Sequence, residues 1–382
     1  MMQVPRRHTE VIAEALKPRG RQILEIGCGD GVLLAWLRRE GAAAIGLESD
    51  RAQLRRAASR VGPDALVAGL GQALPIATAA LDAVLYFNSF HHLPPLLLHE
   101  GLVEAARVLR PQGDLLVIEP LATGDYFELM RPIEDETEMR AAAERALAKA
   151  PALGFRSRSR LDYPSLVRRA SAVATLEALV AADPRRKAAL VAAGPAVEAA
   201  FARLGEPAAD GGRSFVQPMR LHHLERSPGE VDVAVAYGAD RAAAFAIRRE
   251  VFVVGQGVPL DDEFDTAENE AEHVLARNAG RAVGTLRCRP YGPSTWKIER
   301  VAVTPEARGR GVAGRMLDWL LVRLDGRGVA QTVLHAQLRA RSLYERLGFV
   351  AEGDVFMEDG IAHQRMRRDR PSLGSAPPQE PG

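Results

Sequence analysis

The sequence predicts a two-domain α/β chain, and three observations carry that expectation. Its 382 residues exceed what one ordinary domain core supports. Through the first part, short apolar runs alternate with amphipathic helical patterns, as in a parallel sheet with helices on its faces. From Val231 a second pattern of strands, a hairpin and an amphipathic helix begins afresh.

The first pattern reads QILEIG, VLLAWLRRE, AAIGLES, RAQLRRAASRV and LDAVLYF, then DLLVIEP. Long Ala/Arg-rich helical stretches follow from about Glu134 to Leu204, with strand candidates GFRSRSRL near Gly154 and SFVQPMRL near Ser214. LERSPGE, around Ser227, reads as an exposed linker. The expected division is therefore 1–226 and 231–370, with a Pro/Gly/Ser-rich tail at 371–382 expected to be disordered. In the second part, VDVAVAY alternates like a strand and RAAAFAIRREVF is helical. HVLARNAGRAVGTLRCRPY suggests a hairpin turning at 278–280, and KIERVAV is another strand. AGRMLDWLLVRLDG carries an apolar stripe of Met316, Leu317, Leu320, Leu321 and Leu324, with Gly326 as the expected C-cap.

Composition narrows the function. A formal charge of +1 argues against a nucleic-acid-binding surface, so small-molecule substrates are the expected partners. Two cysteines far apart, Cys28 and Cys288, provide neither a disulfide framework nor a Cys-rich zinc site. The first residues lack a long apolar run, and no stretch approaches the roughly 18 apolar residues of a membrane span. A soluble, cytoplasmic protein is expected, with no membrane partner.

LEIGCGDG places Glu25, Gly27, Cys28, Gly29 and Gly31 between a strand and a helix, where glycines let a ligand approach the main chain. Val32 stands where a dinucleotide fingerprint wants its third glycine. Asp30 in the loop opposes a pyrophosphate but suits a cationic sulfonium or amino group. Glu48 ends the next strand, at the distance where a carboxylate accepts hydrogen bonds from ribose hydroxyls. An adenosyl ligand without phosphates is favoured. His91 and His92 read as loop or substrate-pocket residues, because neighbouring positions point in different directions and no third metal ligand is spaced to join them. No metal is expected.

At these residues the chain resembles class I S-adenosylmethionine-dependent methyltransferases. The likeness continues through QALPIATAALDAVLYFNSFHHL and EAARVLRPQGDLLVIEP, to about residue 120. It implies a Rossmann-like sheet, completed by the strands near Phe155 and Phe215, and S-adenosylmethionine as methyl donor. Glu25 and Gly27 to Gly31 would then line its methionine part, and Glu48 would hold the ribose. Leu70 and Gly71 stand where the family often carries an acid near the adenine, so contacts there would be apolar or from the backbone.

In RVAVTPEARGRGVAGRML, Arg308, Gly309, Arg310, Gly311, Val312 and Ala313 lie between a strand and an amphipathic helix. Exposed amides, the positive helix end and two arginines suit a pyrophosphate. No Gly-Lys-Ser/Thr follows, which removes an NTPase loop. The arrangement resembles the GNAT acyl-CoA signature [QR]xxGx[GA], with IERVAV upstream and LHAQLRARSLYERLGF downstream in the family order. The resemblance implies an α+β acetyltransferase domain using acetyl-CoA. Val301 and Val303 would meet pantetheine, and Tyr344 would give a proton to the departing thiolate; the alternative for Tyr344 is a packing aromatic. REVFVVGQGVPLDDEFD narrows the likeness to a bacterial subgroup reading VFVxEQxVP, with Gly255 in place of its glutamate. Glu299 is the leading base, directly or through water, because an amine arrives protonated; an ion pair with Arg300 or Lys297 is the alternative. His335 and His363 fall at subgroup positions, where a structural hydrogen bond is the competing role.

The whole reads as a bifunctional transferase. An acetyltransferase with a catalytically degenerate methyltransferase-like module is the alternative, and a metabolite-binding regulator is a third reading.

Overall fold

In a computed structural model, which describes residues 4–182, 187–209, 211–227, 231–278 and 280–371, the chain forms two compact units. One comprises Met1–Pro151 with Phe155–Ser227, the other Ala152–Gly154 with Pro228–Gly382. Most of the expected linker at 227–230 and of the tail at 371–382 lies outside the described residues. Among the described residues, no helix is long and apolar enough to cross a membrane.

The first unit runs α1 (His8–Leu16), β1 (Gln22–Ile26), α2 (Val32–Arg39), β2 (Ala43–Glu48), α3 (Arg51–Val61), β3 (Leu66–Ala68), β4 (Leu81–Phe87), α4 (Leu98–Val108) and β5 (Leu109–Pro120). It continues through α5 (Asp125–Met130), α6 (Thr137–Leu147), β6 (Phe155–Arg169), α7 (Ala172–Ala182), α8 (Lys187–Leu204), β7 (Glu206–Pro207) and β8 (Arg213–Arg226). Its sheet has the order β3-β2-β1-β4-β5-β8-β6, with β7 paired to β8. The first five strands are parallel, and β8 is antiparallel to both its neighbours. β1, buried from Ile23 to Ile26 with Glu25 among them, is an interior strand, as its largely apolar run predicts. Val11, Ile12 and Leu16 of α1 and Leu33, Leu34 and Leu37 of α2 share one core with Ala83, Leu85, Leu116 and Ile118. A second core joins Leu129, Val197, Phe201 and Phe215.

The second unit comprises β9 (Asp232–Val235), α9 (Ala239–Arg248), a π-helical turn (Arg249–Val254), α10 (Leu260–Glu263), β10 (Glu272–Asn278), β11 (Arg281–Gly292) and β12 (Thr295–Val303). Then come α11 (Val312–Gly326), β13 (Gln331–Gln337), α12 (Arg341–Arg346), β14 (Val350–Glu358) and β15 (Ile361–Asp369). The sheet order is β14-β15-β13-β12-β11-β10-β9. Only β12 and β13 pair in parallel, and their ladder covers Thr295–Gln331 to Ile298–Leu334 before the strands part. Arg300, with φ of +55°, lies just past that point, on the stretch where the β11–β12 register also shifts. Gly284 lets α11 approach β11: a Cβ there would meet Val312 at 2.9 Å and Met316 at 3.0 Å. Gly326 is not the left-handed cap expected of it. It closes the helix, with Arg327 as a right-handed cap, and the positive φ falls at Gly328.

Beneath this sheet lies a buried ion network. Arg287, 1% exposed, donates to Asp265 (2.6 and 3.0 Å), Glu268 (2.7 Å) and Glu299 (2.8 and 3.1 Å), which engages all three of its nitrogens. Arg248, fully buried, donates to the Glu263 carboxylate (2.5 Å), the Glu263 carbonyl (2.6 Å) and Glu268 (2.6 and 3.1 Å), and stacks on Phe245 and Phe264. Removing one partner of a buried pair strands the other's charge. Arg248→Ala is therefore expected to lower the unfolding free energy of this unit by roughly 3–5 kcal/mol, read from urea midpoints against the wild type.

Candidate active sites

In the first unit, the loop after β1 turns through Gly27, Gly29 and Gly31, all at positive φ. At Gly27 the need is strict, because a Cβ would lie 2.6 Å from that of Ser89. Ser89 in turn donates to the Ile26 carbonyl at 2.6 Å, so the ends of β1 and β4 close on each other. Glu48 accepts from the amides of Gly29 (2.9 Å), Ser49 (2.8 Å) and Asp50 (2.9 Å). These bonds fix its carboxylate beside the glycine loop. Glu25 is buried, and among the described residues its Oε2 has no hydrogen-bond partner. Burial first, then the charges of Asp30 and Glu48, push its carboxyl well above the usual range. Such an orphaned acid is suited to a cationic group arriving from outside.

Two expectations change here. Asp30 does not stand free for a cation: it forms an ion pair with Arg60 at 3.1 Å. Cys28 is buried, and burial, with Glu25 and Glu48 adding to it, raises its thiol to about 12. Its Sγ fills the space that a Cβ on Gly46 would need, so the contribution of Cys28 to the loop is its backbone. Leu70 is exposed, as an apolar adenine contact would require.

His91 and His92 do not diverge; their ring centroids lie 4.1 Å apart. Buried His91 pairs through Nδ1 with Glu119 at the end of β5, and Nε2 lies 3.6 Å from Glu136. Glu136 thus supplies the third group that sequence spacing lacked: ligand atoms of His91, His92 and Glu136 lie within 4.8 Å of one another. Arg140 donates to Glu136 at 2.6 Å. Burial alone would discharge His91, but Glu119 and Glu136 hold its pKa at about 9. The two carboxylates favour an imidazolium at His91, whereas burial and the charge of His91 lower His92, so this group of three could alternatively offer its atoms to a metal ion.

In the second unit, a cavity of about 420 Å³ opens where β12 and β13 part. Glu299, Val301, Val303, Arg308, Ala313, His335 and Tyr344 all line it. Arg308 is held by the Val303 carbonyl at 3.2 Å. Gly309 and Gly311, both at φ of +75°, have open space around them, and α11 begins at Gly311 without a side-chain cap. Uncapped amides at a helix start form an anion cradle. Val312 is buried and anchors the helix, whereas Arg310 is exposed.

Tyr344 packs its ring near Phe349, and burial raises its phenol to about 12. It is thus both a packing aromatic and a cavity wall that keeps its proton. Glu299 pairs with Lys297 at 2.8 Å, as its alternative reading expected, but also with Arg287 (2.8 Å) and Arg289 (2.9 Å); Arg300 instead pairs with Glu263. Burial would raise its carboxyl, but hydrogen bonds from Arg289 and Lys297 and the charges of Lys297 and Arg287 outweigh burial and hold it at about 2. Such a carboxylate has little affinity for a proton. Gly255 ends the π-helical turn, and neighbouring Gln256 reaches the cavity, accepting from Gln337 at 3.1 Å. Sequence reasoning missed Glu358, which meets His335 at 3.1 Å, because the two lie 23 positions apart.

A family model described as an acetyltransferase (GNAT) domain matches residues 250–370, and one described as a methyltransferase domain matches residues 24–117. A protein of Bacillus subtilis (strain 168), named as a candidate acetyltransferase, is 37% identical over 132 residues, which are 34% of this chain and 89% of that protein. The uncharacterized N-acetyltransferase YjcF of the same organism is 35% identical over 130 residues, 33% of this chain and 90% of that protein. Among solved structures, a candidate methyltransferase from Bacillus halodurans is 15% identical, with 57% of this chain and 98% of that chain covered and a TM-score of 0.38.

The ion pairs at Glu299 set a pH dependence. Its folded pKa of about 2 lies below the ordinary 4.5, so its contribution to stability is complete above the ordinary value and is lost as pH falls toward the folded one. Glu299→Gln removes that contribution at any pH. The stability gap between wild type and variant should therefore narrow by roughly 2–3 kcal/mol on acidification from neutrality to about pH 2, measured by urea unfolding at each pH.

Proposed function

The chain belongs to the GNAT acetyltransferase family through its C-terminal unit and carries a methyltransferase domain ahead of it; on that premise we propose that it is a bifunctional transferase. The C-terminal unit would acetylate the amine of a small molecule from acetyl-CoA, and the N-terminal unit would methylate a small molecule from S-adenosylmethionine.

One observation carries the acetyl-transfer reading: the strand fork, the uncapped start of α11 and the Tyr344 ring share a single cavity. Open space at Gly309 and Gly311 leaves room for a diphosphate against the amides of the 308–313 turn. The main chain of Val301 and Val303, past the end of the parallel ladder, is available to pantetheine. Acetyl-CoA supplies an acyl group activated as a thioester. Tyr344 keeps its proton until a thiolate departs, and Glu299 fixes the cationic wall around Lys297 and Arg289 rather than taking a proton itself.

The methyl-transfer reading is supported by the glycine loop, the orphaned carboxyl of Glu25 and the pre-oriented Glu48. Glu25 and the 27–31 turn would hold the cationic methionine part, Glu48 the ribose, and exposed Leu70 the adenine face. S-adenosylmethionine supplies an electrophilic methyl group, and the chain's task is positioning.

Glu48→Ala is expected to weaken S-adenosylhomocysteine binding by roughly 1–3 kcal/mol, through loss of a charged hydrogen-bond acceptor. Isothermal titration of the full chain measures this, and a well-folded wild type that binds neither S-adenosylmethionine nor S-adenosylhomocysteine would end the methyl-transfer reading. For the other unit, Tyr344→Phe should slow acetyl transfer toward the low end of about 10²–10⁴-fold, since water can substitute for the phenol, with acetyl-CoA affinity unchanged. Unchanged turnover would leave Tyr344 a packing residue alone.

A further inference from the structure

We propose that His335 is the general base of acetyl transfer and that Glu358 is its positioning residue. The inference rests on the acetyltransferase reading and assigns the proton acceptor that Glu299, bound to three cations, cannot supply.

His335 follows Leu334, the last residue of β13 paired with β12, so it stands at the fork itself. It lines the same cavity as Tyr344. Its Nδ1 lies 3.1 Å from Glu358 Oε2, and its ring meets Phe356 edge-on with centroids 5.0 Å apart. An ionised carboxylate can only accept, so this contact places the proton of a neutral imidazole on Nδ1 and the lone pair on Nε2. Among the described residues Nε2 has no hydrogen-bond partner. The His335 hydrogen bond lowers the Glu358 carboxyl, which keeps it ionised as an acceptor. His363, on the same wall, also has Nδ1 engaged, but on the Ile361 carbonyl at 2.9 Å, so this buried ring lacks the directly bonded carboxylate that steadies a protonated His335. The other charged groups lining this cavity are Glu263, Lys297, Glu299, Arg300, Arg308, Arg339 and Asp359. Each either belongs to the ion network, is a cation, or lacks an orienting partner of this kind.

In the step, His335 Nε2 takes one proton from the incoming ammonium and passes it to solvent, which frees the nitrogen lone pair to form the C–N bond at the thioester carbonyl as the C–S bond breaks. The second proton leaves the nitrogen through His335, neutral again, and the thiolate takes the phenolic proton of Tyr344. Solvent returns a proton to Tyr344 and removes the one on His335, leaving an amide and a free thiol.

The test compares the full-length wild type with His335→Asn, Glu358→Gln and Glu358→Asp. Thiol release from acetyl-CoA is followed with propylamine, protonated at neutral pH, and with 2,2,2-trifluoroethylamine, already neutral there. His335→Asn should cost about 10²–10⁴-fold in kcat with propylamine, far less with trifluoroethylamine, and nothing in acetyl-CoA affinity. It should also abolish the imidazole limb of the kcat–pH profile. Glu358→Gln should shift that limb, and Glu358→Asp should restore part of the rate, which a purely structural role would not produce. In ¹⁵N spectra of the free protein, the imidazole signal missing from His335→Asn should report the Nδ1–H tautomer. An Nε2–H tautomer, or a variant that keeps rate and pH limb, overturns the proposal. Wild type that binds acetyl-CoA yet releases no thiol with either amine overturns the acetyltransferase reading and this inference together; failure of the variants alone overturns only the inference.

Discussion

The second unit depends on one guanidinium. Arg287 points its three nitrogens into Asp265, Glu268 and Glu299, so strands β11 and β12 and the segment after α10 are fixed to one another by a single planar group. Arginine suits this position because its fork of donors is rigid and permanently charged. The arrangement has a chemical price: whatever carboxylate closes the network loses its basicity, and Glu299 is that carboxylate. On the proposed acetyl-transfer reading, proton transfer falls to a group outside the network, and the same cavity offers a histidine oriented by its own acid.

The first unit handles buried charge in the reverse way. Glu48 is fixed by three backbone amides and keeps acceptor capacity to spare, whereas among the described residues Glu25 is left without a partner on one oxygen. A group satisfied by the main chain cannot easily move, and an unsatisfied one is held in an unfavourable state until something arrives. Together they make a cradle that is geometrically finished but electrostatically incomplete. The paired and unpaired acids lie on adjacent strand ends, where the parallel sheet brings its loops to a common edge.

Much of this was legible in the sequence because it is local. The alternation of apolar runs gave the strands, and both glycine turns lie on contiguous residues whose spacing carries their chemistry. What was not legible depends on contacts between distant positions. Glu136 joins His91 across 45 residues, and Arg60 takes up Asp30 across 30. His335 meets Glu358 only because β13 and β14 flank β15. Glu299 sat in plain view on its strand, but its partners Arg287 and Arg289 come from the neighbouring strand, and register is a property of the folded sheet. Gly326 misled for a simpler reason: two glycines, Gly326 and Gly328, follow the apolar stripe, and sequence does not say where the last turn tightens.

The fork between β12 and β13 also bears on how this unit assembles. β10 to β12 form a meander of successive hairpins, and β14 with β15 forms a hairpin to which β13 adds along β15. The two groups of strands meet through only four parallel pairs of β12 with β13, across a connection that includes the whole of α11. Local hairpins close cheaply, and parallel crossovers close late. The cavity therefore lies at the one seam of this sheet that closes across a long crossover, where loop closure costs most and the local hairpins contribute nothing.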